Sequence, residues 1–151
     1  MNGLLVGLPN AHPAAVHFPL VLLPISVALD LLGVVTARRD LDVAARWALW
    51  LGTLGAAVAV YTGHEAADVL RPGVGVDAGA VMTTHHDLAM AALVVAAGLS
   101  LWRLVLPDPG TRRWRAVYLA IALGLLSALA VTADLGGLLV FVHGVAVHGA
   151  T

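Results

Sequence analysis

The chain has 151 residues, of which 60% are hydrophobic and only 11% are charged. Its mean hydropathy of +0.93 lies outside the range of soluble domains and indicates an integral membrane protein. The sequence contains no cysteine, which excludes disulfides, thiolate metal sites, cysteine-bound iron–sulfur clusters and covalent c-type haem. Any cofactor must therefore be bound by histidines.

Four apolar stretches are long enough to cross about 30 Å of hydrocarbon, which takes roughly 20 helical residues. They are residues 14–36, 44–64, 85–106 and 114–134. Short connections after the first and third stretches force neighbouring helices to run in opposite directions. We therefore predict one all-α membrane domain over residues 1–151, an antiparallel bundle of four transmembrane helices.

The two ends of the chain carry further expectations. Residues 1–11 lack the basic segment of a cleavable signal peptide, so we expect the N-terminus to be retained. Gly136 and Gly137 are adjacent, which favours a break in the last helix. The C-terminal segment, residues 135–151, is then expected to fold over the outer mouth of the bundle.

Arginines predict the orientation, because the chain has no lysine. Seven of the eight fall at one end of the predicted bundle: Arg38, Arg39, Arg46, Arg103, Arg112, Arg113 and Arg115. Arg71 alone falls at the other end. By the positive-inside rule the arginine-rich end is cytoplasmic, and both termini are outside.

All seven histidines fall in the outer half: His12, His17, His64, His85, His86, His143 and His148. Helical rise places His17, His64 and His86 about 25 to 31 Å from the arginine-rich end, and Asp134 reaches a similar level on the fourth helix. Folding of the C-terminal segment over the mouth would bring His143 close to His12 and His17. His148 lies next to the C-terminus, and we assign it no role.

His85 and His86 are about 100° apart on the third helix, so only one of them faces the bundle. His85 shares its face with small alanines, which suits close helix packing. His86 shares its face with bulkier side chains, including Met90 and Leu93, that suit the lining of a cofactor site. The pattern favours His86 as the ligand and leaves His85 as the alternative.

Two motifs carry a resemblance to a known family. The segment "HPAAVHFPLVLLPISVALDLLG" and the later "GGLLVFVHGVAV" resemble a widespread bacterial family of small four-helix membrane domains of unknown function. The match covers essentially the whole chain. The resemblance implies a bacterial plasma-membrane protein, and it places the family's histidines on His12, His17, His143 and one of His85 or His86. His64 has no counterpart in the family pattern.

Members of this family occur alone or joined to Rieske-type or cytochrome c-type domains, which implies a place in membrane electron transfer. The leading hypothesis is therefore a b-type cytochrome with one haem, or two, bound by pairs drawn from His12, His17, His86 and His143. Arg71, the only outer arginine, is a candidate partner for haem propionates. Because no histidine lies at the inner end, electrons would move along the outer face, between quinone and an extracytoplasmic partner or within a larger redox complex.

Two other hypotheses stay open. A copper or zinc ion at the outer mouth could be bound by His17, His64, His86 and Asp134, with Glu65, Asp68 and Asp87 nearby, or by a set drawn from His12, His17, His86 and His143. Alternatively, the chain is a cofactor-free subunit that packs against a larger membrane complex. Asp30, the only deep acid, is expected to pair with a nearby arginine. No nucleophile–base pair, phosphate loop or nucleic-acid-binding patch is present, so the sequence does not predict independent catalysis.

Overall fold

The computed structural model describes residues 11–106 and 111–146. Within these two ranges every regular element is helical, which confirms the predicted all-α class. The helices are α1 (His12–Ala15), α2 (His17–Thr36), α3 (Arg39–Leu70), a 3-10 turn (Arg71–Gly73), α4 (Val76–Val105) and α5 (Arg112–Phe141).

Four helical segments are long and apolar enough to cross a membrane: His12–Thr36, Arg39–Gly73, Val76–Val105 and Arg112–Phe141. The shortest has 25 residues, or roughly 38 Å of helix, so each can span about 30 Å of hydrocarbon. Large apolar side chains remain exposed along all four, among them Phe18, Leu54, Val94, Leu101 and Val131. A surface of this kind is stable in contact with lipid, and the prediction of four helices long and apolar enough to span a membrane is confirmed.

The second and third long helices extend further than their apolar stretches. α3 continues past residue 64 to Leu70, and α4 begins at Val76 instead of residue 85. The hydroxyls of Thr83 and Thr84 donate to the carbonyls of Gly79 and Ala80 one turn earlier, so they continue the helix and do not cap it. The connection between α3 and α4 is therefore only a short turn around Pro72.

The last helix does not break at its glycine pair. α5 runs through Gly136 and Gly137 to Phe141. It ends in a glycine cap, in which Gly144 has a φ of 64° and the amide of Val145 donates to the carbonyl of Leu139. Residues 135–141 thus prolong the bundle and do not fold back over its mouth, and residues 147–151 lie outside the described range.

The helices pack mainly in consecutive pairs, α2 on α3 and α4 on α5, and the two pairs meet through α3–α4 and α2–α5. The core between them consists of apolar side chains from all four long helices, among them Leu23, Leu49, Ala96 and Ala122. Arg103, near the end of α4, is buried against Asp30 of α2 and the start of α3. The half-buried His12 and His85 lie towards the other end of the bundle.

Close packing of α2 on α3 depends on two glycines of α3. A Cβ atom added at Gly55 would lie 2.6 Å from the Cβ of Phe18, and one added at Gly52 would lie 2.8 Å from Cδ2 of Leu23. Both distances are shorter than van der Waals contact. A side chain at either position would therefore push α2 away from α3.

We expect Gly55→Ala to lower the free energy of unfolding by about 1–3 kcal/mol, because an extra methyl group must displace the backbone of α2. Gly98→Ala is the matched control, since its added Cβ meets no atom within 4 Å. The control should leave stability unchanged or raise it by up to about 1 kcal/mol through better helix propensity. Thermal unfolding in detergent measures both, and equal melting temperatures would contradict the packing argument.

Candidate functional site

Two histidines from different halves of the chain face each other at the end of the bundle opposite the arginines. His12 is the first residue of α1, and His85 lies in the third turn of α4. Their ring centroids are 6.2 Å apart and the ring planes are nearly perpendicular, at 89°. Both side chains are half-buried.

The ring of His12 is fixed by α3. Its Nδ1 lies 2.8 Å from the carbonyl oxygen of Ala59. The hydroxyl of Thr62, 3.5 Å from the same nitrogen, donates more closely to the carbonyls of Val58 and Ala59. Gly63 lies beneath the ring, where a Cβ atom would come within 2.9 Å of Cε1 of His12. The glycine therefore lets the imidazole lie directly against the helix.

The ring of His85 is fixed by α5 in the same manner. Its Nδ1 lies 2.9 Å from the carbonyl oxygen of Thr132. A Cβ atom at Gly136 would come within 3.3 Å of Cε1 of His85. The glycine that suggested a helix break thus serves a close approach between ring and backbone.

These hydrogen bonds determine the chemistry of the two rings. A carbonyl oxygen only accepts, so each neutral imidazole must carry its proton on Nδ1 and leave the lone pair of Nε2 free. Histidines that ligate metals usually donate their other nitrogen to a carbonyl or carboxylate in this way. The Nε2 atoms of His12 and His85 could therefore each act as a ligand.

His64 and His86 form a second pair, closer to the surface. Their ring centroids are 5.8 Å apart, with ring planes inclined by 41°. His64 is largely exposed, and its Nε2 lies 3.8 Å from a carboxylate oxygen of Asp68 on the same helix. His86, the residue that the sequence favoured as a ligand, thus lies beside His64 and not beside His12.

The other predicted site residues do not join either pair. His17 is exposed, and its Nδ1 lies 2.7 Å from the carbonyl oxygen of Pro13 in the preceding turn. His143 is half-buried just beyond the end of α5, and no ring contact joins it to another described histidine. Arg71 and Asp134 are exposed. His148, to which no role was assigned, lies outside the described residues. The roles predicted for the other four residues stay predictions.

Bare-metal sites need more ligands than the histidine pairs supply. Among the residues described, no group of three or more histidine, cysteine or acidic side chains is arranged to hold a metal ion. Zinc takes at least three protein ligands, and usually four in structural sites. The candidate ligands are therefore the two imidazoles of His12 and His85, each fixed by a hydrogen bond to a main-chain carbonyl.

A buried ion pair lies at the opposite end of the bundle. Nη1 of Arg103 is 3.0 Å from Oδ1 of Asp30, and Nη2 donates to the carbonyl of Asp42 at 3.1 Å. The guanidinium carbon of Arg103 is 5.2 Å from the ring centroid of Tyr118, a cation–π contact. The expected pairing of Asp30 with an arginine is confirmed, and Arg103 belongs to the core.

Neither the two carbonyl acceptors nor the function of the glycines beneath the rings was predicted from the sequence. One signal was available in the spacing. His12 and Ala59 are 47 residues apart, as are His85 and Thr132, and a glycine follows each acceptor by four residues. The same spacing in two helical hairpins indicates that each histidine packs in the same way against the helix that follows.

Long apolar helices, a lipid-facing surface and buried polar groups define a small multi-spanning membrane domain. The family described as predicted membrane protein (DUF2231) matches residues 8–149, and the chain belongs to this family. This result confirms the resemblance carried by the two sequence motifs. No curated protein and no solved structure matches the chain.

Proposed function

We propose that the protein is a membrane-bound, b-type cytochrome-like electron-transfer subunit that binds one haem through His12 and His85. The observation that carries the proposal is the facing pair of imidazoles, each with Nδ1 held by a main-chain carbonyl of a neighbouring helix. Each ring of the pair then keeps an Nε2 lone pair that is available for a ligand.

The donor set fits haem better than a bare ion. A tetrapyrrole would supply most of the iron's ligands, so the protein would need to supply only two, and neutral imidazole is a usual one. His12 and His85 are such a pair, with ring centroids 6.2 Å apart.

When bound, haem supplies one-electron redox chemistry. The chain's own residues would do the rest: His12 and His85 would bind the group, and the carbonyls of Ala59 and Thr132 would orient the two rings. Arg71 is the one arginine on the histidine side, exposed on the turn after α3, and is a partner for propionates.

The proposal includes a topology. We infer an antiparallel bundle in a bacterial plasma membrane, with both termini and the histidine end outside. Contacts between chain segments support it, since Arg103 near the end of α4 meets Asp30 near the end of α2 and Asp42 near the start of α3. The concentration of arginines at that same end supports the orientation.

The position of the histidines limits the electron path. The sequence has no histidine at the arginine-rich end that could ligate a second haem there. We therefore infer a relay along the outer face, between quinone or a larger membrane redox complex and an extracytoplasmic partner. The chain would be a carrier or accessory subunit of an oxidoreductase and not a complete enzyme.

The test is a dithionite-reduced minus air-oxidised absorption spectrum of the detergent-purified protein, expressed with added haem precursor. We expect a sharp b-type α band, and a pyridine haemochrome assay should give about one haem per chain. A flat spectrum would contradict the proposal. Copper and zinc analysis of the same sample would then separate a metal protein from a cofactor-free interaction subunit.

A further inference from the structure

The two halves of the chain repeat the same arrangement at an offset of 73 residues. His85 follows His12 by 73 positions, and the same offset relates the acceptor Thr132 to Ala59 and the glycine Gly136 to Gly63. In each half a histidine in the first candidate spanning segment lies against the carbonyl 47 residues later. One local design therefore occurs twice.

Burial repeats at the same offset along the whole length of the helices. Four buried positions of α2 match four of α4: Pro19 with Ala92, Leu23 with Ala96, Ser26 with Leu99, and Asp30 with Arg103. In α3 and α5, six further buried positions correspond, from Ala45 and Tyr118 at one end to Ala66 and Leu139 at the other. Equivalent faces of the two hairpins thus point into the same core.

Equivalent residues also meet each other in space. His12 contacts His85 at one end of the bundle, and Asp30 contacts Arg103 at the other. In a translational repeat, equivalent residues are separated by the repeat distance. Only a two-fold relation brings a residue against its own counterpart, and it does so along the axis.

The packing of the helices agrees with a two-fold relation. The hairpins are joined by two contacts, α3 with α4 and α5 with α2. If α2 is exchanged with α4 and α3 with α5, the contact of α3 with α4 becomes the contact of α5 with α2.

We infer that the chain is a tandem duplication of a two-helix unit. Unit 1 (residues 12–73) and unit 2 (residues 85–146) are related by an approximate two-fold axis, and the candidate site lies on that axis. The partner of each unit is the other unit, and each contributes one histidine, one carbonyl acceptor and one glycine. A single ligand on the axis would then be held by two equivalent sets of histidine, carbonyl acceptor and glycine. The identity of this ligand as haem rests on the proposed function. The duplication does not depend on it.

Charge explains why unlike units pair. Unit 1 has Asp30, Asp40 and Asp42 where unit 2 has Arg103, Arg113 and Arg115. Two copies of unit 1 would place two carboxylates together on the axis, and two copies of unit 2 would place two guanidinium groups there. Both arrangements bury like charges, which is strongly unfavourable, so the Asp30–Arg103 position selects the mixed pair.

The inference is tested by reversing the order of the units in a full-length chain. The permuted chain starts at Val74, runs to Thr151 and continues directly from Met1 to Gly73. Residues 147–151 and 1–11 then connect the units, and they outnumber residues 74–84, which connect the units in the natural order. Both units keep their hairpins and their direction through the membrane.

We expect this permuted chain to unfold within about 5 °C of the natural chain. A control permutation, opened between Ala37 and Arg38, splits unit 1 and should unfold at a clearly lower temperature. If the chain opened at Val74 unfolds as early as the control or does not assemble, the duplication of units is overturned. The haem spectrum is a separate measurement, so failure of either proposal is recognised independently.

Charge exchange on the axis provides a second test. Asp30→Arg and Arg103→Asp each place like charges together, and each should lower the melting temperature by more than about 5 °C. The double variant should recover at least half of that loss, because an arginine at position 30 finds the main-chain carbonyl of Arg115, the counterpart of the Asp42 carbonyl that Arg103 uses now. If the melting temperature of the double variant is no higher than that of the less stable single variant, positions 30 and 103 are not equivalent.

Discussion

Replacement of His12 or His85 by alanine is expected to abolish haem binding, with a loss of affinity of at least about 100-fold for either variant. Each replacement would leave only one imidazole of the proposed pair to hold the haem. The two effects should be similar in size, because the rings are anchored in the same manner by Ala59 and Thr132. The measurement is haem per chain by pyridine haemochrome, together with the height of the reduced α band.

His17→Ala and His86→Ala are the matched controls for this prediction. His17 bonds only within its own chain segment, and His86 lies against the exposed His64. Both controls should retain haem at about the natural ratio. Loss of haem in His86→Ala with retention in His85→Ala would contradict the assigned pair and would favour a site at His64 and His86.

Hydropathy predicted the number of helices because a helix in lipid must satisfy its backbone internally and present about 20 apolar residues. It did not predict where the helices end. Residues 65–70 of α3 and 76–84 of α4 are helical but more polar than the apolar stretches, so the helices extend beyond the stretch that a hydrocarbon layer requires. Only Pro72 and its neighbouring glycines interrupt them.

Two features of the site could not be deduced from local sequence. The angular positions of His85 and His86 on α4 show that the two rings point in different directions. The contact of His85 with His12, however, depends on how separate helices pack. Adjacent glycines are equally consistent with a helix break and with close approach of another group. Gly136 serves the second purpose, since His85 lies directly against it.

The buried ion pair illustrates the same limit. Arg103 belongs by position to the arginine-rich end, and a count of charges assigns it to the membrane surface. The structure instead leaves its side chain only 2% exposed, against a carboxylate from another helix. Asp30 was identifiable as an acid in need of a partner because a lone charge in a membrane helix is costly. Which arginine serves as partner follows from helix packing alone.

The second large effect is expected for Arg103→Met, which leaves the Asp30 carboxylate buried without its partner. Removal of one member of a buried ion pair typically costs about 3–5 kcal/mol in the free energy of unfolding. The methionine fills much of the space of the arginine stem, so the loss reports mainly the unpaired charge. Thermal unfolding in detergent measures it, and the haem content of the variant shows whether the distant histidine end stays intact.

Two comparisons isolate the cause. The double variant Asp30→Leu/Arg103→Met removes both charges and should restore most of the stability, because an apolar pair of similar volume replaces the ion pair. Arg38→Met breaks the exposed pair with Asp40 and should have little effect, since solvent screens those charges. If the double variant is as unstable as Arg103→Met, the loss comes from packing around Tyr118 and not from the unpaired carboxylate. If Arg103→Met is as stable as Arg38→Met, the guanidinium does not stabilise the bundle, and the charge-based selection of unlike units fails with it.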